Sequence, residues 1–220
     1  MAMWLLAGCG SDDPTPGERR AEQASDAARQ AGLDDEVADV IALAASSVDA
    51  IYRVAYDQSP AADGGATRVV LTQRPPQLRV DTIEPDGDTT SLIRDGNDSY
   101  QCRQTAGSWR CHELGADPGE LGAIDPEAVA AVVESLTERA EFYDFAVEER
   151  ELIGIAAECL VTTRRPDAPD DAALGESATL CVTDIGAVLL AETPSGAVTA
   201  VEYATDVDDE AFELPVPADG

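Results

Sequence analysis

Five cysteines and a single histidine are the residues of this chain whose chemistry is most open to choice. Cys102, Cys111, Cys159 and Cys181 could form two disulfides, or a thiolate metal site with His112 close by. Structural zinc sites present close C-x-x-C pairs, which this spacing lacks. In SYQCRQTAGSWRCHE a hairpin turn centred between Ala106 and Gly107 puts Cys102 directly opposite Cys111. Directly opposed residues have Cα atoms about 4.5 or 5.5 Å apart, inside the range of roughly 4.4–6.8 Å that a disulfide bridges. Cys159 and Cys181 flank the Pro- and Asp-rich stretch Arg165 to Ser177 and would close a longer hairpin. The expected pairs are therefore Cys102–Cys111 and Cys159–Cys181, and two bridges point to an oxidising compartment. Cys9 is left unpaired.

Other chemistries find little support. His112 adjoins a cysteine expected to be oxidised and is read as an ordinary polar residue ending a strand. With one histidine and no G-x-S-x-G turn, a serine triad cannot be assembled. There is no Walker lysine, since all the basic residues are arginine, and no G-x-G-x-x-G opens a helix after a strand. No carboxylate pair stands out for glycoside hydrolysis, and aromatic residues for stacking on sugar are few. Neither Asp167 to Asp171 nor Asp206 to Glu210 has the alternating ligands and central glycine of a calcium loop. The expectation is a chain without catalytic residues, metal or cofactor.

Charge narrows the partners. Against 14 basic residues stand 44 acidic ones, a formal net charge of -30, which repels a nucleic-acid backbone. The acids are spread along the chain and read as a solvated surface. After the first eight residues no apolar run approaches the ~20 residues of a membrane-spanning helix.

The elements that would position these residues are legible from periodicity. Val37, Val40, Ile41, Ala44 and Val48 recur at three- and four-residue steps, predicting a helix from about Asp35. Tyr52, Val54 and Tyr56 then alternate, as on one face of a strand. Strands are predicted at 67–73, 77–84, 89–94, 99–104 and 108–113, separated by short Pro- and Gly-rich turns that favour an antiparallel meander. Asp125 as N-cap and Pro126 at the first helical position open a second helix whose apolar face is Val129, Val132, Val133, Leu136 and Ala140. Strands resume at 152–163, 178–183, 187–192 and 198–204. The length, 220 residues, suits one domain with a tail.

The opening stretch LAGCGSDD bears on Cys9. Leu6-Ala7-Gly8-Cys9 resembles the lipobox of bacterial lipoproteins, in which a diacylglyceryl group is attached to the cysteine and the peptide is cut just before it. The resemblance implies a chain exported and anchored through Cys9 to the outer face of the cell membrane. Residues 1–8 are then the remnant of a signal peptide. They lack a basic n-region and a full apolar run, so the resemblance carries the expectation of a true start upstream. Residues 9–33, polar and proline-containing at their start, are expected to be a flexible tether with a typical reach of roughly 25–30 Å. A single domain is expected over 34–220.

That domain resembles the LolA/LolB/RseB-like lipoproteins, especially actinobacterial forms near the LppX/LprG group. The pieces that carry the likeness are Tyr52-Arg53-Val54-Ala55-Tyr56, Gln73-Arg74-Pro75-Pro76 with Arg79-Val80-Asp81, Tyr100-Gln101-Cys102, Leu180-Cys181 with Asp184-Ile185-Gly186, and Phe212-Glu213-Leu214-Pro215. The resemblance implies an α+β fold: a curved antiparallel sheet, an open half-barrel, with helices covering its concave face. It also implies non-catalytic binding or carriage of a lipid-like ligand in an apolar cavity. The candidate lining is Tyr52, Val54, Tyr56, Val69, Leu71, Leu78 and Val80 on the sheet, with Val129, Val132, Val133 and Leu136 on a lid helix. Some relatives are sensors, so an envelope sensor or protein-interaction module on the same fold is the alternative.

Overall fold

A computed structural model describes residues 13–60, 67–114, 126–168 and 175–219. Among these described residues twelve strands form one open sheet. In chain order they are β1 (Tyr52–Pro60), β2 (Thr67–Arg74), β3 (Gln77–Ile83), β4 (Thr89–Asp95), β5 (Asp98–Thr105), β6 (Ser108–Glu113), β7 (Tyr143–Leu152), β8 (Ile155–Arg164), β9 (Ser177–Val182), β10 (Val188–Thr193), β11 (Gly196–Ala204) and β12 (Ala218–Asp219). Their order across the sheet is β12-β6-β5-β4-β3-β2-β1-β11-β10-β9-β8-β7. Two antiparallel meanders thus meet where β1 pairs with β11, Arg53 opposite Ala204. Only β12 is parallel to its neighbour, with Ala218 beside Cys111. The fold is α+β with a large, unclosed, mainly antiparallel sheet and few helices.

The strand predicted over 152–163 is instead the second arm of a hairpin, β7–β8, that turns at Ile153-Gly154. Both turn residues have positive φ, 49° and 78°, the backbone that a two-residue hairpin turn requires. β7 went unseen because Glu148, Glu149, Arg150 and Glu151 obscure the alternation of Tyr143, Phe145 and Val147.

Among the described residues three α-helices accompany the sheet: α1 (Pro16–Gln30), α2 (Asp35–Ser46) and α3 (Pro126–Glu138). α1 corrects the expectation of a tether across 9–33. Thr15 caps it reciprocally: its hydroxyl accepts from the Glu18 N–H at 3.2 Å, and its own N–H donates to the Glu18 carboxylate at 2.7 Å. With Pro16 opening the first turn, this is a capping box. Its stripe is mostly alanine, with Ala28 fully buried, so the hydrophobic signal is weak although the helix propensity is high. The start of α1 is tied down where the Gly17 N–H donates to Asp49 at 2.6 Å. Residues 1–12, including the lipobox and Cys9, and Asp125 lie outside the described residues.

α2 buries Val37, Ala38, Val40, Ile41, Ala44 and Ala45. α3 turns Val129 and Leu136 inward, while Val132 is 45% exposed. The predicted face of α3 is therefore narrower than expected, because 129 and 136 are two turns apart on one line and 132 falls to its side. The side chain of Val133 lies outside the described residues.

On the opposite face of the sheet the C-terminal segment acts as a cover. Leu214, Val216 and Ala218 pack over Ile93 and the buried Cys102–Cys111 pair. The Arg79 guanidinium holds this segment by donating to the Ala211 carbonyl at 3.0 Å, while its Nε pairs with Asp81.

Candidate functional site

The register fixes which side chains share the helix-covered face. Tyr52 lies opposite Gln73, which lies opposite Leu78. The Gln73 amide donates to the carbonyls of Ser47 at 2.6 Å and Ala50 at 2.9 Å, just beyond α2. That row therefore faces the helices. The rows beside it are Val54–Leu71–Val80–Leu92 and Tyr56–Val69–Thr82–Thr90.

Seven of the candidate cavity residues, Tyr52, Val54, Tyr56, Val69, Leu71, Leu78 and Val80, lie on this face of the sheet. They are buried and packed into one cluster with Ala187, Leu189 and Ala200. Val129 and Leu136 belong to a second cluster, under the helices, with Ile41, Leu160 and Val182. The sheet residues and the lid residues thus serve two adjoining packed cores.

Space is found between the helices. A cleft of about 760 Å³ opens between α1 and α3, with Ala24, Ala27, Ala31 and Ala131 along its walls and Ala45 of α2 at its base. Arg20, Gln23, Gln30, Glu134 and Glu138 also line it. A second recess of about 500 Å³ lies beside the helix ends, among Leu33, Val37, Tyr143, Phe145 and Arg165. Of the ten candidate cavity residues whose side chains are described, none lines the first cleft. The signal for it was present in the spacing of Ala24, Ala27 and Ala31, which places three methyls on one side of α1. The small alanines among charged neighbours leave that signal faint.

Burial, with Tyr52 nearby, holds the Tyr56 hydroxyl well above its ordinary pKa, so it stays a neutral donor. Tyr203 is also raised, first by partial burial, against a lowering hydrogen bond from Thr183. Glu202 is lowered, chiefly by its hydrogen bond from Arg68 at 2.7 Å, with Arg53 at 3.6 Å adding to it. Among the described residues no cluster of His, Cys, Asp and Glu could hold a metal ion. Cys102 is bonded to Cys111 and Cys159 to Cys181, with Cα separations of 4.0 and 3.9 Å. His112 is exposed at the end of β6. Among the described residues no helix is long and apolar enough to cross a membrane.

No protein-family model matches the chain, and no curated protein matches it in sequence. Solved structures do match in fold. A chain of the MucA/MucB complex of Pseudomonas aeruginosa superposes with a TM-score of 0.51 at 14% identity, over 87% of this chain and 61% of that one. The present chain therefore spans about three fifths of that relative's length. The lipoprotein LppX of Mycobacterium tuberculosis matches over 79% of this chain and 97% of its own, with a TM-score of 0.42 and 14% identity. The likeness to the first of these is one of fold: an open, mainly antiparallel sheet with helices against it.

Proposed function

We propose that this chain is a non-catalytic binding protein, anchored through a diacylglyceryl group on Cys9 to the outer face of the cell membrane, that holds a lipid or another hydrophobic molecule between its helices. The observation that carries this reading is the cleft between α1 and α3. Its volume, about 760 Å³, falls within the ~300–1,000 Å³ of ligand sites. Alanine methyls give it apolar walls, and the polar side chains around them can orient a ligand. Removal of apolar surface from water would supply the affinity, and displacement of α3 would admit the ligand. The test is native mass spectrometry of the purified protein with offered diacylglycerol, followed by lipid extraction. Ala27→Phe and Ala131→Trp, which fill the cleft from either wall, should cut uptake at least tenfold; unchanged uptake would sink the cleft. For the anchor, a palmitate analogue should label the chain expressed with a complete signal, and Cys9→Ala should abolish the label.

A second reading is an envelope sensor or interaction module. The close packing of the sheet cluster favours it, since those residues then serve as scaffold. In the MucA/MucB complex a relative of this fold is joined to another protein. A protein partner retained equally by wild type and Ala131→Trp would support this reading over the first.

A further inference from the structure

The helix-facing side of the sheet continues beyond the packed cluster, across β4, β5 and β6, and there its character changes. Leu78 lies opposite Arg94, Leu92 leads through Gln101 to His112, and Thr90 leads through Arg103 to Arg110. No acid occupies this side of the three strands. Asp95, Asp98 and Glu113 alternate onto the other side, around Tyr100, whose hydroxyl is raised by partial burial and by these three carboxylates. Arg103, Arg110 and His112 are exposed, and Arg94 is half-buried.

In a chain this acidic an arginine readily finds a carboxylate. Arg29, Arg53, Arg68, Arg74, Arg79, Arg150 and Arg165 all do. Among the described residues Arg94, Arg103 and Arg110 form no ion pair. Moreover, Arg103 and Arg110 are directly opposed across the β5–β6 ladder, where like charges are destabilising. Arg103 and Arg110 are held side by side, without a carboxylate among the described residues and partly at the expense of stability, with His112 one row and Arg94 two rows further along the same face; such a grouping marks a place where an anion is to be supplied.

We propose that Arg94, Arg103, Arg110 and His112 bind the phosphate-bearing headgroup of an anionic lipid. This deepens the lipid-binding reading and rests on it. Guanidinium forks match phosphate oxygens in bidentate fashion. Three strands at about 4.8 Å spacing make a patch ~10 Å across the strands, and the rows from Arg103 to Arg94 extend it ~13 Å along them, a span over which long arginine side chains can converge on one headgroup. Leu92 stands in the same row as His112 and packs against the apolar cluster. Basic and apolar surface are thus contiguous, as an amphiphile requires and an acidic peptide does not.

The experiment is an NMR titration of the whole folded protein with dihexanoylphosphatidylglycerol, with dihexanoylphosphatidylcholine and with a glutamate-rich decapeptide, following the arginine Nε–H signals. The phosphatidylglycerol should shift Arg103 and Arg110 saturably, weaken with added salt and bind at least tenfold less well to R103E/R110E. A milder R103Q/R110Q variant, checked by circular dichroism for a native fold, should show the same loss. Equal binding of the two phospholipids, full affinity in the folded variants, or binding of the peptide in place of the lipid would each overturn the proposal. Diacylglycerol uptake is measured in parallel on the wild-type protein. Wild type that takes up diacylglycerol but does not bind phosphatidylglycerol would condemn the headgroup site alone, and the reverse pattern would condemn the cleft alone.

Discussion

The Tyr56 hydroxyl donates to the Val188 carbonyl at 2.8 Å, linking β1 to β10 across the intervening β11. Val188 sits where the β9–β10 ladder shifts register, and Tyr56 gives its carbonyl a buried partner. Tyr56→Phe keeps the ring and removes only that donor. It should cost about 1–2 kcal/mol, the penalty of leaving a buried acceptor unmet, read as a lower urea midpoint with an unchanged slope.

Gly186 should tolerate no side chain. Its φ is +79°, and a Cβ there would stand 2.2 Å from the Leu43 carbonyl oxygen. The turn from Thr183 to Ala187 therefore presses directly on α2. Gly186→Ala is expected to cost about 3 kcal/mol or more. Gly96→Ala, at φ +64° with nothing within 4 Å, should cost only about 1 kcal/mol. Thermal unfolding of the two variants side by side gives the comparison.

The two disulfides close segments of 9 and 22 residues. By loop entropy each contributes roughly 3 kcal/mol, somewhat more for the longer. Cys159→Ala with Cys181→Ala should therefore lower stability more than the Cys102, Cys111 pair of replacements. Denaturant melts of both double variants, made without reductant, test that order.

Glu202 sets a pH dependence. Its carboxyl is lowered in the folded chain, first by the Arg68 hydrogen bond and then by charge from Arg68 and Arg53. A lowered folded value means a contribution present above the ordinary carboxylate range and lost as pH falls through the depressed value. Both partners are largely solvated, so the effect on stability is small. The site itself reports more clearly: in Arg68→Ala the Glu202 side-chain carbon signal should titrate at higher pH than in wild type.

Sequence periodicity anticipated the strands from β1 to β6 closely, because their turns carry Pro75-Pro76, Pro85-Asp86-Gly87 and Gly96-Asn97, and their inward residues alternate cleanly. It missed α1, where alanine replaces the larger apolar residues that make a helix visible, and β7, where charges crowd the outward positions. The candidate site divides along the same line. Tyr52, Val54 and Tyr56 share one face because alternation determines the face. Whether that face is vacant or packed depends on what lies above it, and the partner of β1, namely β11, is set by contacts distant in sequence. The cleft between α1 and α3 could not be anticipated while α1 itself was not.

The junction of β1 with β11 also orders events in time. A chain made from its N-terminus completes β1 to β6 long before β11 exists, and hairpins within each meander form by short closures that are fast. Until Ala204 arrives opposite Arg53, β1 presents an open edge of unpaired backbone groups, the feature that invites pairing with other chains. The slow and vulnerable step in making this protein is therefore the joining of two finished halves, and a chaperone that covers β1 would be most needed before the last quarter of the chain emerges.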